Sequence, residues 1–165
     1  MKDQLHLRNK LEKVDFTRVI PNFTEPYSFG DRIGGFWTST YLPGIGSEWL
    51  QEKVYKPWAN VFNGYLFSVK NGARLYKVNS IEDEKYFEEF YSGDYNQLAE
   101  DYHGINLSSD YVVKLKEQQL KIRGISSSRF HGWGLECTWW FNVDYLELKR
   151  TFSGDEIQEM ADRNI

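Results

Sequence analysis

Apolar and polar positions along the 165-residue chain come in short bursts, and their period switches repeatedly between two and about 3.6. The alternation Leu5-His6-Leu7-Arg8 marks a first short strand. Residues 14–34 read as irregular, with Pro21, Pro26 and glycines at 30 and 34 ahead of Gly35. Gly35-Phe36-Trp37-Thr38-Ser39-Thr40 is rich in β-branched and aromatic residues and predicts a second strand. Ser47 is placed to cap a helix opening at Glu48-Trp49-Leu50, which Pro57 would stop. The runs Tyr65–Val69 and Arg74–Val78 flank Asn71-Gly72, a hairpin signal.

Helical spacing follows. Ser80, three residues before Asp83, precedes Tyr86-Phe87 and Phe90-Tyr91, and Asp94 caps a second helix around Leu98 that Gly104 ends. Ile105-Asn106-Leu107 predicts a brief strand, and residues 110–121 predict an exposed helix carrying Lys114, Lys116, Glu117 and Lys121. Ser126-Ser127-Ser128 is a loop, residues 137–143 are strand material, and Ser153 caps a last helix through Met160. Short strands interrupted by helices, with no regular βαβ alternation and no phosphate-binding glycine fingerprint, predict one α+β domain over 1–165.

Composition narrows the function classes. Aromatic residues make up 17% of the chain, with 6 Trp, 11 Tyr and 11 Phe, which suits either a large core or surfaces that stack on flat ligands. The net charge of −4 provides no global basic field for nucleic acid. A single cysteine, Cys137, excludes an internal disulfide, and His6, His103 and His131 form no metal-spaced pair, so no metal is expected. No apolar stretch approaches 18 residues and the N-terminus is polar, so the expectation is a cytoplasmic protein without a membrane span or signal peptide.

The densest chemistry lies in Phe130-His131-Gly132-Trp133-Gly134-Leu135-Glu136-Cys137-Thr138-Trp139-Trp140-Phe141. Here one carboxylate, Glu136, stands between a glycine-bearing loop and a strand. A glutamate at such a junction is either paired and functional or a plain rim residue, because burying it alone is costly.

In chain order, Arg8 lies on the first strand, Thr38-Ser39-Thr40 on the second, and Glu136 opens a late one. This order resembles the ADP-ribosyltransferase family in its Arg, Ser-Thr-Ser, Glu form, over roughly residues 5–148. The phrases at 34–39 and 101–108 are also similar to small uncharacterised phage and bacterial proteins that share that fold. The resemblance implies a split mixed β-sheet core with peripheral helices, and NAD as co-substrate.

It further implies that Glu136 is catalytic, stabilising the oxocarbenium-like charge that develops on ribose as the nicotinamide bond breaks. Arg8, or Arg18 if the first strand runs later, would hold the pyrophosphate. Thr38, Ser39 and Thr40 would orient Glu136 and line the nicotinamide side, with Trp37, Tyr41 or Trp49 stacking on a ring.

One position departs from the family pattern. Many members carry Gln or Glu two residues before the catalytic glutamate, and here that position is Gly134. The departure weakens an arginine-directed protein modifier and turns the expectation towards a DNA or RNA acceptor. Trp133 would then stack a base, Arg129 meet a phosphate and His131 act as a base. A toxin or phage–host conflict role, with a neutralising protein partner, follows from the same resemblance. Two other classes stay open: a non-catalytic aromatic-rich module for nucleic acid, a sugar or a protein, and a metal-independent nuclease using His103 and His131.

Overall fold

Strand residues settle early in the chain: Gln4–Asn9 form β1 and Phe36–Thr40 form β2. The computed structural model describes residues 1–12, 35–122 and 128–163, with the side chains of 119–122 and His131 outside that description. Arg18, the irregular stretch 14–34 and Ser126-Ser127 therefore lie outside the described residues. The remaining strands are β3 (Phe62–Val69), β4 (Leu75–Val78), β5 (Gly104–Leu107), β6 (Cys137–Trp140) and β7 (Leu146–Phe152). The helices are α1 (Glu48–Gln51), α2 (Ile81–Tyr91), α3 (Tyr95–Asp101), α4 (Ser109–Ile122) and α5 (Gly154–Asp162). The chain is a single-domain α+β protein around one seven-stranded mixed sheet of order β4-β5-β6-β2-β1-β3-β7, in which only β4 and β5 run parallel.

The sheet is folded over. β4 and β3 stand five strand positions apart, roughly 24 Å in a flat sheet. Yet the six residue steps from Val69 to Leu75 span at most about 21 Å fully extended. The two halves must approach each other, and the bend falls where pairing is thinnest. β1 pairs β2 only at Gln4↔Thr40 and Leu5↔Ser39, whereas it pairs β3 along its whole length. Phe36, Phe67 and Trp140 fill the space between the layers. Outside the β4-β5-β6-β2 half, α2, α3 and α4 bury Phe87, Leu98, Tyr111 and Leu115 against Ile105 and Trp139. Outside the other half, α5 buries Ile157, Met160 and Ala161 against Leu5 and Leu66.

Three helix starts match the sequence. Ser80 accepts from the Asp83 amide, Asp94 from the Asn96 amide, and Ser153 with Glu156 forms a full capping box.

Four expectations are corrected, and one strand was not anticipated. Asn71-Gly72 is a turn, with Gly72 at φ +87°, but β3 and β4 do not pair; the turn crosses between the layers. α1 stops at Gln51, and Pro57 instead opens a 3₁₀ turn over Lys56–Val61, where a missing N–H costs nothing. α4 is amphipathic rather than exposed, because Tyr111, Val112 and Leu115 are buried. β6 ends at Trp140, followed by a turn at Val143–Tyr145 that Asn142 caps. β7 has no counterpart in the sequence reading.

Candidate functional site

Strand parity decides which side chains can meet. Along β2, Phe36, Thr38 and Thr40 face between the layers while Trp37 and Ser39 face the helices. On β5 the polar Asn106 points the opposite way from Ile105 and Leu107, which belong to the helix-side core. Gly134, at φ +71°, turns the chain into β6 and sets Glu136 one residue before that strand begins.

Glu136 is buried, with 7% of its surface exposed. The Thr40 amide donates to its Oε2 at 2.9 Å and the Thr40 hydroxyl to its Oε1 at 2.8 Å. Asn106 Nδ2 adds a 2.9 Å bond to Oε1 and also reaches Thr138 Oγ1 at 2.9 Å and the Cys137 carbonyl at 3.2 Å. Beside this cradle, Thr38 donates to Gln4 Oε1 at 2.7 Å and accepts from Trp140 Nε1 at 2.8 Å. Burial pushes the Glu136 carboxyl above its ordinary pKa; the Thr40 amide and hydroxyl and the Asn106 amide oppose this, and the charge of Glu48 adds to it. Among the described residues no cation pairs with it.

The carboxylate borders an open, polar cavity of about 350 Å³ whose wall includes Thr40, Asn106, Lys2, Glu48 and Ser109. Ser109, the first residue of α4, donates to Glu48 Oε1. A smaller cleft of about 70 Å³ opens where β1 and β2 separate, lined mainly by Leu5, Leu7, Trp37, Ser39, Trp49 and Cys137. There His6 spans the gap, its Nδ1 donating to the Trp37 carbonyl at 2.6 Å.

The sequence-selected residues divide sharply. Thr40 and Glu136 are brought together. Thr38 is buried in the neighbouring hydrogen-bond line, and Ser39 faces the small cleft. Arg8 sits on the rim, 44% exposed and bonded to Glu12 at 2.8 Å. Four residues along β1 from Gln4, it lies about 13 Å down the strand from the level of Thr40. Trp37 stacks on Trp139 at 5.3 Å within the helix-side core. Trp49 stacks on Tyr55 at 5.3 Å, and its buried Nε1 has no hydrogen-bond partner among the described residues.

The loop expected to grip nucleic acid is built differently from that expectation. Trp133 is 5% exposed and packs edge-on to Trp37 and Phe130, so it offers no face to a base. Arg129 is committed to Glu88 at 2.6 Å, to the Gly93 carbonyl at 2.7 Å and to the faces of Phe87 and Tyr95. His131 contributes backbone to a 3₁₀ turn over His131–Trp133, and its side chain is outside the described residues. His103 stacks on Tyr145 at 3.8 Å and its Nδ1 accepts from the Arg74 amide, which gives it a structural task at the start of β5.

Asn106, Glu48 and Ser109 were missed as site residues. Only Asn106 carried a signal, as the lone polar residue inside Ile105-Asn106-Leu107.

Comparison with protein-family models, with curated proteins and with solved structures returned no match. Among the described residues no helix is long and apolar enough to cross a membrane, and no group of three or more His, Cys, Asp or Glu is placed to hold a metal ion.

Proposed function

We propose that this protein cleaves the nicotinamide–ribose bond of NAD and transfers the ADP-ribosyl group to an acceptor. One observation carries the reading: a buried glutamate, fixed by three donors from β2 and β5, faces a cavity of about 350 Å³. Breaking the glycosidic bond places positive charge on the ribose, and a carboxylate already oriented and stripped of water stabilises that charge without reorganising. The cavity lies in the size range of small-molecule sites. Arg8 shares strand parity with Gln4 but is paired with Glu12 on the rim and is not part of the cavity wall, so the reading rests on Glu136 and its donors.

The loop before Glu136 bears on the choice of acceptor. With Trp133 and Arg129 committed to the fold, two of the three residues that favoured DNA or RNA are engaged elsewhere. Lys2 shares the cavity wall with Glu48 and Asp110, so wall charge does not choose the acceptor; the engagement of Trp133 and Arg129 elsewhere is what favours proteins and small nucleophiles.

The test is nicotinamide release from NAD by wild type and Glu136→Gln, alone and with DNA, RNA or cell lysate. The substitution should lower release about 10²–10³-fold while the melting temperature stays near wild type. No release from wild type, together with no thermal shift on adding NAD, would end the proposal.

A further inference from the structure

We infer that Ser109 is itself an ADP-ribosyl acceptor, activated by Glu48, so that the protein modifies its own cavity wall. The inference rests on the NAD-cleaving reading of Glu136 and adds the identity of one nucleophile.

Among the described residues three hydroxyls line the cavity: Thr40, Ser108 and Ser109. Thr40 spends its proton on Glu136 Oε1, and Ser108 Oγ caps α4 by accepting from the Tyr111 amide. Ser109 alone directs its proton at a separate carboxylate, Glu48, which leaves its lone pairs available to the cavity. A hydroxyl within hydrogen-bond reach of a base is the arrangement that makes serine nucleophilic.

The spacing fits. Ser109 follows Asn106 by three residues, so their Cα atoms lie within about 11 Å, and Asn106 touches Glu136. Glu136 and Ser109 line the same cavity, so a ribose bound there is within reach of both the stabilising carboxylate and the attacking oxygen. Two carboxylates on one cavity then take distinct roles: Glu136 is buried and held by three donors, while Glu48 is only partly buried and already accepts a hydrogen bond from the hydroxyl whose proton it would take.

The step balances. Ser109 Oγ bonds to the anomeric carbon of the ribose as its bond to the nicotinamide nitrogen breaks. That electron pair leaves with the ring and neutralises its positive charge. The Ser109 proton passes to Glu48 and from there to solvent. The products are nicotinamide, a proton and an O-linked ADP-ribosyl group on Ser109.

The experiment incubates the purified protein with NAD and follows released nicotinamide together with intact mass, then maps the modified residue by fragmentation. Wild type should gain one ADP-ribosyl mass at Ser109. Ser109→Thr should keep that gain and Ser109→Ala lose it, each checked for folding by circular dichroism. Glu48→Gln should slow the mass gain about 10²-fold. Nicotinamide release without mass gain, or a gain that maps elsewhere and persists in Ser109→Ala, overturns the inference and leaves NAD cleavage standing. Neither release nor mass gain overturns both.

Discussion

Replacing His6 by asparagine should flatten the pH dependence of stability on the acid side. The His6 ring lies against Phe36 at 4.2 Å, and its Nδ1–H donates to the Trp37 carbonyl, which can only accept. Burial lowers its pKa from 6.5 to about 4, against the Trp37 hydrogen bond and with help from the Arg8 charge. The folded state therefore binds fewer protons than the unfolded chain between those values. The stability this neutral imidazole contributes is complete above about pH 6.5 and drains away as pH falls towards 4. For the two pKa values, the loss from pH 8 to pH 5 is about 2 kcal/mol, with a limit near 3 kcal/mol below pH 4. Asparagine places an amide N–H where Nδ1 stands but does not titrate, so the variant should lack this loss. Urea unfolding of both proteins at pH 8 and pH 5 measures the difference of differences, which cancels the carboxylates common to both. Equal pH slopes would refute the argument that a neutral His6 bridges β1 and β2.

Two further outcomes test the site and the core. Thr40→Val removes one of the two Thr40 bonds to Glu136 at nearly constant shape, so the carboxyl should move further up and the acid limb of the proposed NAD cleavage shift to higher pH; coincident profiles would show that the hydroxyl does not tune it. Trp133→Ala should cost about 3–5 kcal/mol in urea unfolding, because it empties a buried indole site; a variant of wild-type stability that loses ligand would favour the binding-module class instead.

Local chemistry was legible in the chain and long-range pairing was not. Ser80, Asp94 and Ser153 announce helix starts because a cap depends on residues within one turn. Asn71-Gly72 correctly announces a turn, since Gly72 takes φ +87°, but a turn does not state which strands it joins. β7 escaped because it is an edge strand: Leu146-Glu147-Leu148-Lys149-Arg150 faces solvent along most of its length and has no buried stripe. At the site, the triplet Thr38-Ser39-Thr40 was visible, but pleating sends its members to different places, and only Thr40 meets Glu136. Asn106 and Ser109 come near the glutamate through tertiary pairing of β5 with β6, which no local pattern records.

The thin backbone join between β1 and β2 leaves the two halves of the sheet held together chiefly by side chains: the Phe36, Phe67 and Trp140 cluster and the Thr38–Gln4 and His6–Trp37 hydrogen bonds. Each half has its own helices and its own buried cluster, so amide exchange should resolve two cooperative blocks, one holding β4, β5, β6 and β2, the other β1, β3 and β7. Glu136 belongs to the first block and Arg8 to the second. A molecule that engages both would tie the blocks together, and its affinity would include the free energy of suppressing their independent opening.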